Sequence, residues 1–175
     1  MSQSRINLRV FIAVAIGVLI LVFLNWSIFQ RERLIEQGRI VLLQLAPVDP
    51  RSLMQGDYMA LRFALANEIG RFKLEELGKD GRAVLKLDEN NVAHFVRIDD
   101  GSPLQQGEVR LQYRIRDEYG TVKIVTNAFF FEEGRGSLYE SARYGELRVS
   151  DTGNAVLTQL RDERFNVLGR SAVLN

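Results

Sequence analysis

The chain has 175 residues, with 23 basic and 22 acidic side chains, a net charge of +1, one histidine and no cysteine. The missing thiols exclude disulfides, thiolate metal sites and cysteine nucleophiles, and His94 alone gives little from which to build a histidine metal site or a Ser-His-Asp triad. From Ile40 onward eighteen basic residues face twenty acidic ones, and no basic run stands out, which argues against a nucleic-acid ligand.

Residues 1–9 form a short tail carrying Arg5 and Arg9. Residues 10–30, VFIAVAIGVLILVFLNWSIFQ, contain no charged side chain. As a helix this stretch rises about 31 Å, the thickness of a hydrocarbon core. Its Val, Ile, Leu and Phe content favours insertion by about 5 kcal/mol. The run is longer than a signal peptide's apolar region, and the bulky Asn25-Trp26-Ser27-Ile28-Phe29-Gln30 that follows lacks a small-residue cleavage site. An uncleaved transmembrane anchor is the expectation. Arg5 and Arg9 on one flank balance Arg31, Arg33 and Arg39 on the other, so orientation rests on a weak bias; the expected arrangement is a cytoplasmic tail and an exported domain. Ala13 and Gly17 form a small-xxx-small pair that would also suit two lipid-facing residues.

Residues 31–39 read as the helix continuing into water, ended by Gly38. One β-rich domain over 40–175 is expected next. The apolar run 40–48 suits a buried strand. Residues 49–56 read as a loop, because the Asp49-Pro50 step disfavours helix and Gly56 permits a turn. Residues 57–65 read as a strand with Met59, Leu61, Phe63 and Leu65 on one face, followed by a short helix over 67–77 with Ile69, Phe72 and Leu77 inward. Residues 82–88 and 92–98 flank a polar turn, as do 108–117 and 121–133, giving two hairpins. Ser137-Leu138-Tyr139-Glu140 matches a capping box and predicts a helix over 138–144, with Gly145 after it. Residues 146–150 and 154–162, joined by Asp151-Thr152-Gly153, give a third hairpin. The fold class is therefore mainly β (α+β): a transmembrane helix, then about eight strands with one or two short helices.

The segment Pro47-Val48-Asp49-Pro50-Arg51-Ser52-Leu53-Met54-Gln55-Gly56-Asp57-Tyr58-Met59-Ala60-Leu61-Arg62-Phe63 resembles the signature of the GDYXXLXY family, bacterial membrane-anchored proteins named for that string. Gly56, Asp57, Tyr58 and Leu61 match, and Phe63 stands where the family has tyrosine. Phe130-Phe131-Glu132-Glu133-Gly134, Tyr139-Glu140 and Ala142-Arg143-Tyr144-Gly145-Glu146 extend the resemblance over most of the chain. It implies an amino-terminal anchor in the bacterial inner (plasma) membrane, one envelope domain, and an integral membrane protein as partner. It implies no particular activity.

Read physically, Gly56 permits the turn into the strand, and Asp57 can accept loop amides. Tyr58 and Leu61 have opposite parity and point to opposite faces, while Leu61 and Phe63 share one and enter the core. Asp49, Arg51, Asp57 and Tyr58 form a candidate polar rim for a ligand or partner. Two carboxylates there could suggest acid-base work or a divalent cation, but further acidic ligands are lacking, so no metal, cofactor or catalytic residue is expected. Arg51-Ser52-Leu53-Met54-Gln55-Gly56-Asp57 is also similar in its Leu-x-x-Gly-Asp ending to a string in membrane-anchored signal peptidases. Aligning on that ending puts Asp49 at the nucleophile position and Ser52 at a threonine, and Lys73, Lys79 and Lys86 lie in polar contexts unlike a desolvated base. A hydrolase, or a module for a small ligand or cell wall, is the alternative to partner docking. Phe129-Phe130-Phe131 reads as core plus edge, since three adjacent rings must face both ways, and one of them could serve as an exposed partner contact. Asp99-Asp100 and Glu132-Glu133 read as solvated turns.

Overall fold

The computed structural model describes residues 3–46, 54–55, 58–72, 77–117 and 120–169. The chain divides into two compact units, the amino-terminal helix up to Gln37 and the remainder from Gly38. Helix α1, Gln3–Gln37, is apolar on all sides through its middle; Leu19, Leu21 and Phe23 are exposed around its circumference. A helix that lacks a polar face has no preferred side to bury in a globular core. Within it, Ala13–Gln37 is long and apolar enough to cross a membrane, with a mean hydropathy of 2.1 in its best window. The Asn25 amide is satisfied by the helix itself: Nδ2 donates to the Leu21 carbonyl at 2.9 Å.

The second unit contains ten strands among the described residues: β1 (Arg39–Gln44), β2 (Met54–Gln55), β3 (Tyr58–Ala60), β4 (Asp80–Leu87), β5 (Ala93–Ile98), β6 (Glu108–Ile115), β7 (Val122–Ile124), β8 (Ala128–Phe130), β9 (Tyr144–Val149) and β10 (Ala155–Arg161). A short helix α2, Ala64–Ile69, follows β3. The strands form three antiparallel sheets, ordered β1-β9-β10, β2-β3-β8 and β5-β4-β6-β7. The mainly β reading holds.

Strand β1 ties the sheets together. One edge pairs with β9 from Arg39 to Gln44. On the other, the Leu42 amide donates to Asn91 O at 2.8 Å and Leu42 bridges Val92, while Leu45 bridges Phe63. At the far end of the β9–β10 hairpin, Gly153 O accepts from the Gln112 amide of β6 at 2.9 Å. Gly153 sits there at φ 91, where a side chain would be strained. One core results, shared by Val41 and Leu43, Leu61 and Phe63, Ala83 and Leu85, Leu111 and Tyr113, and Leu147 and Leu160. Alternate residues of each long strand supply it, as period-two patterning requires.

Three segments differ from expectation. The predicted strand 57–65 stops at Ala60, runs extended to Phe63, then enters α2. Helix formation thus begins earlier than 67, and α2 ends at Ile69; residues 73–76 lie outside the described residues, and Leu77 is helical again. Ile69 and Leu77 are buried, but Phe72 is exposed and meets the Phe95 ring edge-on at 5.7 Å. The predicted strand 121–133 splits into β7 and β8, which belong to different sheets, because Val125 turns left-handed at φ 54 and the Thr126 hydroxyl donates to Ala128 O at 3.0 Å. The capping box fails as well. A 3-10 turn, Gly136–Tyr139, replaces the helix; Arg135 is at its N-cap, with no side-chain cap bond. Burial of Tyr139 between Phe129 and Phe131, at ring distances of 5.1 and 5.3 Å, fixes that turn instead.

Candidate functional site

The Gly-Asp-Tyr string leads into β3, and its described part separates into a rim and a core. Tyr58 is half-buried and pairs across the strand with Phe130 of β8; the two rings lie 5.8 Å apart at 43°. Phe130 is 74 % exposed. Its neighbours Phe129 and Phe131 point the other way, onto Tyr139, so strand alternation leaves one ring of the three facing solvent. The chain after β3 stays extended. Leu61 N donates to Asn127 O at 2.7 Å and Ala46 N to Arg62 O at 2.8 Å. Leu61 and Phe63 are both buried in the core, on the face opposite Tyr58.

Phe63 needs Gly145. A Cβ at Gly145 would stand 2.9 Å from the Phe63 ring, inside van der Waals contact. The aromatic end of the motif therefore packs flat against the backbone of β9, where only hydrogen fits. A phenyl ring suffices for this contact.

Asp49, Arg51, Gly56, Asp57 and Ser52 lie outside the described residues, so the rim is represented here by Tyr58. His94 is exposed, with Nε2 3.4 Å from the Asp88 carboxylate. Burial alone would raise the Asp88 pKa, but the amides of Val92 and Asn90, then His94, hold it below the ordinary aspartate range.

The structure adds charged groups that sequence reading missed. Asp99 is not a solvated turn: its side chain is 2 % exposed and takes Arg110 at 2.9 Å and Arg82 at 3.2 Å. Glu108 opens β6 with its carboxylate buried; it accepts from the Gln105 amide and from Arg97, each at 2.9 Å. Those two contacts, the amide first, hold its pKa low. Glu146 is buried in β9 beside Arg161 and accepts from Gln159 Nε2 at 2.8 Å. A buried carboxylate is tolerable only when so partnered. Each of these acids lies a strand position away from apolar residues, and the only sequence signal was an arginine on a neighbouring strand.

A model of the GDYXXLXY protein family matches residues 20–160, which spans the second half of α1 and nearly the whole β-rich unit. The chain belongs to the GDYXXLXY protein family. No curated protein and no solved structure matches it. The family string falls where the geometry has its division: Leu61 and Phe63 lock β3 to β1 and β9, and Tyr58 faces outward beside Phe130.

Proposed function

We propose that this protein is a single-pass envelope protein of a bacterial inner membrane whose extracytoplasmic β-rich domain docks on an integral membrane protein through the rim of the family motif. The observation that carries the reading is Phe130, a ring 74 % exposed on an edge strand and braced by Tyr58. Water penalises such a ring by about 1.5–3 kcal/mol relative to burial, and aromatic side chains are favoured interface anchors. A membrane partner is favoured because α1 confines the domain to the bilayer surface, where the two diffuse in two dimensions at high effective concentration.

A photo-crosslinking amino acid at position 130 in intact cells tests this. The expected product is one discrete adduct with a membrane protein, diminished by Tyr58→Ala and Asp57→Ala. Uncrosslinked chain only, together with unchanged solitary behaviour in mild detergent, would refute docking. The side of the membrane is tested separately with an impermeant thiol reagent on Glu163→Cys, the only thiol in that variant. The expected result is labelling from outside the inner membrane.

A further inference from the structure

We propose that the outer face of the β5-β4-β6-β7 sheet rests on anionic lipid headgroups of the bilayer that holds the chain. Strand register gathers there what the sequence scatters. The odd positions of β4 and β6 enter the core, and the even positions lie together on the opposite face, where Val84 and Glu108 are themselves buried. The outward set contains six cations: Arg82 and Lys86 of β4, Arg97 of β5, Arg110 and Arg114 of β6, and Lys123 of β7. Against them stand four carboxylates: Asp80, Asp99 and Glu108, each ion-paired with arginine, and Asp88, which meets His94 across from Lys86. The face thus carries an excess of two positive charges on a domain whose residues 40–175 sum to −2. Lys86 and Lys123 make no ion pair among the described residues. Lys123 is also set directly across from Arg114, whose guanidinium pairs with Asp80 at 3.2 Å.

Charge complementarity points to an anion, and the tether points to lipid. A bilayer is the one polyanion always within reach of a chain with its own membrane helix, and basic residues near an anionic leaflet are attracted within a Debye length. This inference does not depend on the docking role of Phe130.

The test uses the full chain in nanodiscs of phosphatidylcholine, with or without phosphatidylglycerol, and a headgroup-labelled quenching lipid. A fluorophore is attached to Gln112→Cys, on the outer face between Arg110 and Arg114, or to Glu163→Cys in the exposed turn after β10. Quenching at position 112 is expected to rise about threefold or more with phosphatidylglycerol and to fall back in high salt. Position 163 should change little. Lys86→Glu with Lys123→Glu, two exposed side chains without ion pairs, should abolish the rise while leaving the circular dichroism unchanged. Equal quenching at both positions, or no lipid dependence at 112, overturns the proposal. So does a fluorophore insensitive to lipid but shifted by single-stranded RNA, which would make the face a nucleic-acid site.

Discussion

Strands β4 and β6 run eight residues each and pair at seven registered positions, whereas β2, β3 and β8 run two or three. The long pair buries Ala83 and Leu85 of β4 and four residues of β6 on its inner face, Val109, Leu111, Tyr113 and Ile115, and arginine-carboxylate pairs lace its outer face. The short sheet buries Met59 but presents Phe130 to water. A short edge sheet gains little from its own ladder and is held by what its side chains do next. For β3 that means Leu61 and Phe63, which leave the sheet and enter the core of the scaffold. The motif therefore spends its last two positions on attachment and its tyrosine on presentation.

The largest expected effect comes from cutting that attachment. Phe63→Ala removes a ring that is 3 % exposed and leaves a void against Gly145. It should cost about 3–5 kcal/mol in urea unfolding of the detergent-solubilised chain, followed by β-sheet circular dichroism. Phe63→Tyr, the family residue, sharpens the point: if the ring alone matters, stability changes by under about 1.5 kcal/mol. Within the long sheet, Gly81 faces Tyr113 across the β4–β6 pair, and the ring lies over the glycine so closely that a Cβ would overlap it. Tyr113 cannot swing away freely, because its hydroxyl donates to Leu77 O at 2.9 Å in a buried site. Burial also pushes the Tyr113 pKa up. Gly81→Ala should therefore destabilise by about 1–3 kcal/mol through overpacking, and the same urea experiment checks it.

The two regions also differed in how far the sequence revealed them. Hairpins β4–β5 and β9–β10 were legible because alternation was regular and the turns carried Asn91 and Gly153, residues suited to the positive φ found at both. Around the motif, two periods overlap. Leu65 extends the alternating series Met59, Leu61, Phe63, yet it also lies four residues before Ile69 on α2, so one residue satisfies both patterns. The break at Val125 had no local signal, since a β-branched residue is a poor candidate for φ 54. The capping box failed because burial of Tyr139 outweighed a local hydrogen-bond option. Of the candidate rim, Tyr58 was placed by simple parity; its partner Phe130 required knowing that β8 lies beside β3.

A smaller effect separates the regions by pH. The Glu108 carboxyl is held below the ordinary glutamate range by the Gln105 amide and Arg97, against the opposing pull of burial. With the folded pKa depressed, the unfolded chain takes up protons first as the solution is acidified. The contribution is therefore complete above the ordinary glutamate value and is lost as pH falls through the lower, folded one. Urea midpoints should be flat through neutrality and drop in that acid window. Glu108→Gln should flatten part of the drop, leaving the share of Asp88, Asp100 and Asp162, which are shifted the same way. A variant whose acid slope matches the parent would show that the long sheet owes nothing to this pair's ionisation.

The smallest effect on folding should accompany the largest on association. Phe130 touches the Tyr58 ring but leaves 74 % of its surface in water, so Phe130→Ser removes little that the folded state buries. Its unfolding free energy should stay within about 0.5 kcal/mol of the parent. If a membrane partner covers the ring, the same change forfeits about 1.5–3 kcal/mol of apolar burial in the complex, a loss of about ten- to a hundredfold in affinity. Co-purification in mild detergent, measured beside urea unfolding on the same samples, reads both quantities at once. A destabilised Phe130→Ser chain would assign the ring to the scaffold, and undiminished co-purification of a stable one would remove it from the interface. Only unchanged stability with lost association fits a motif divided between holding the domain together and presenting it to another molecule.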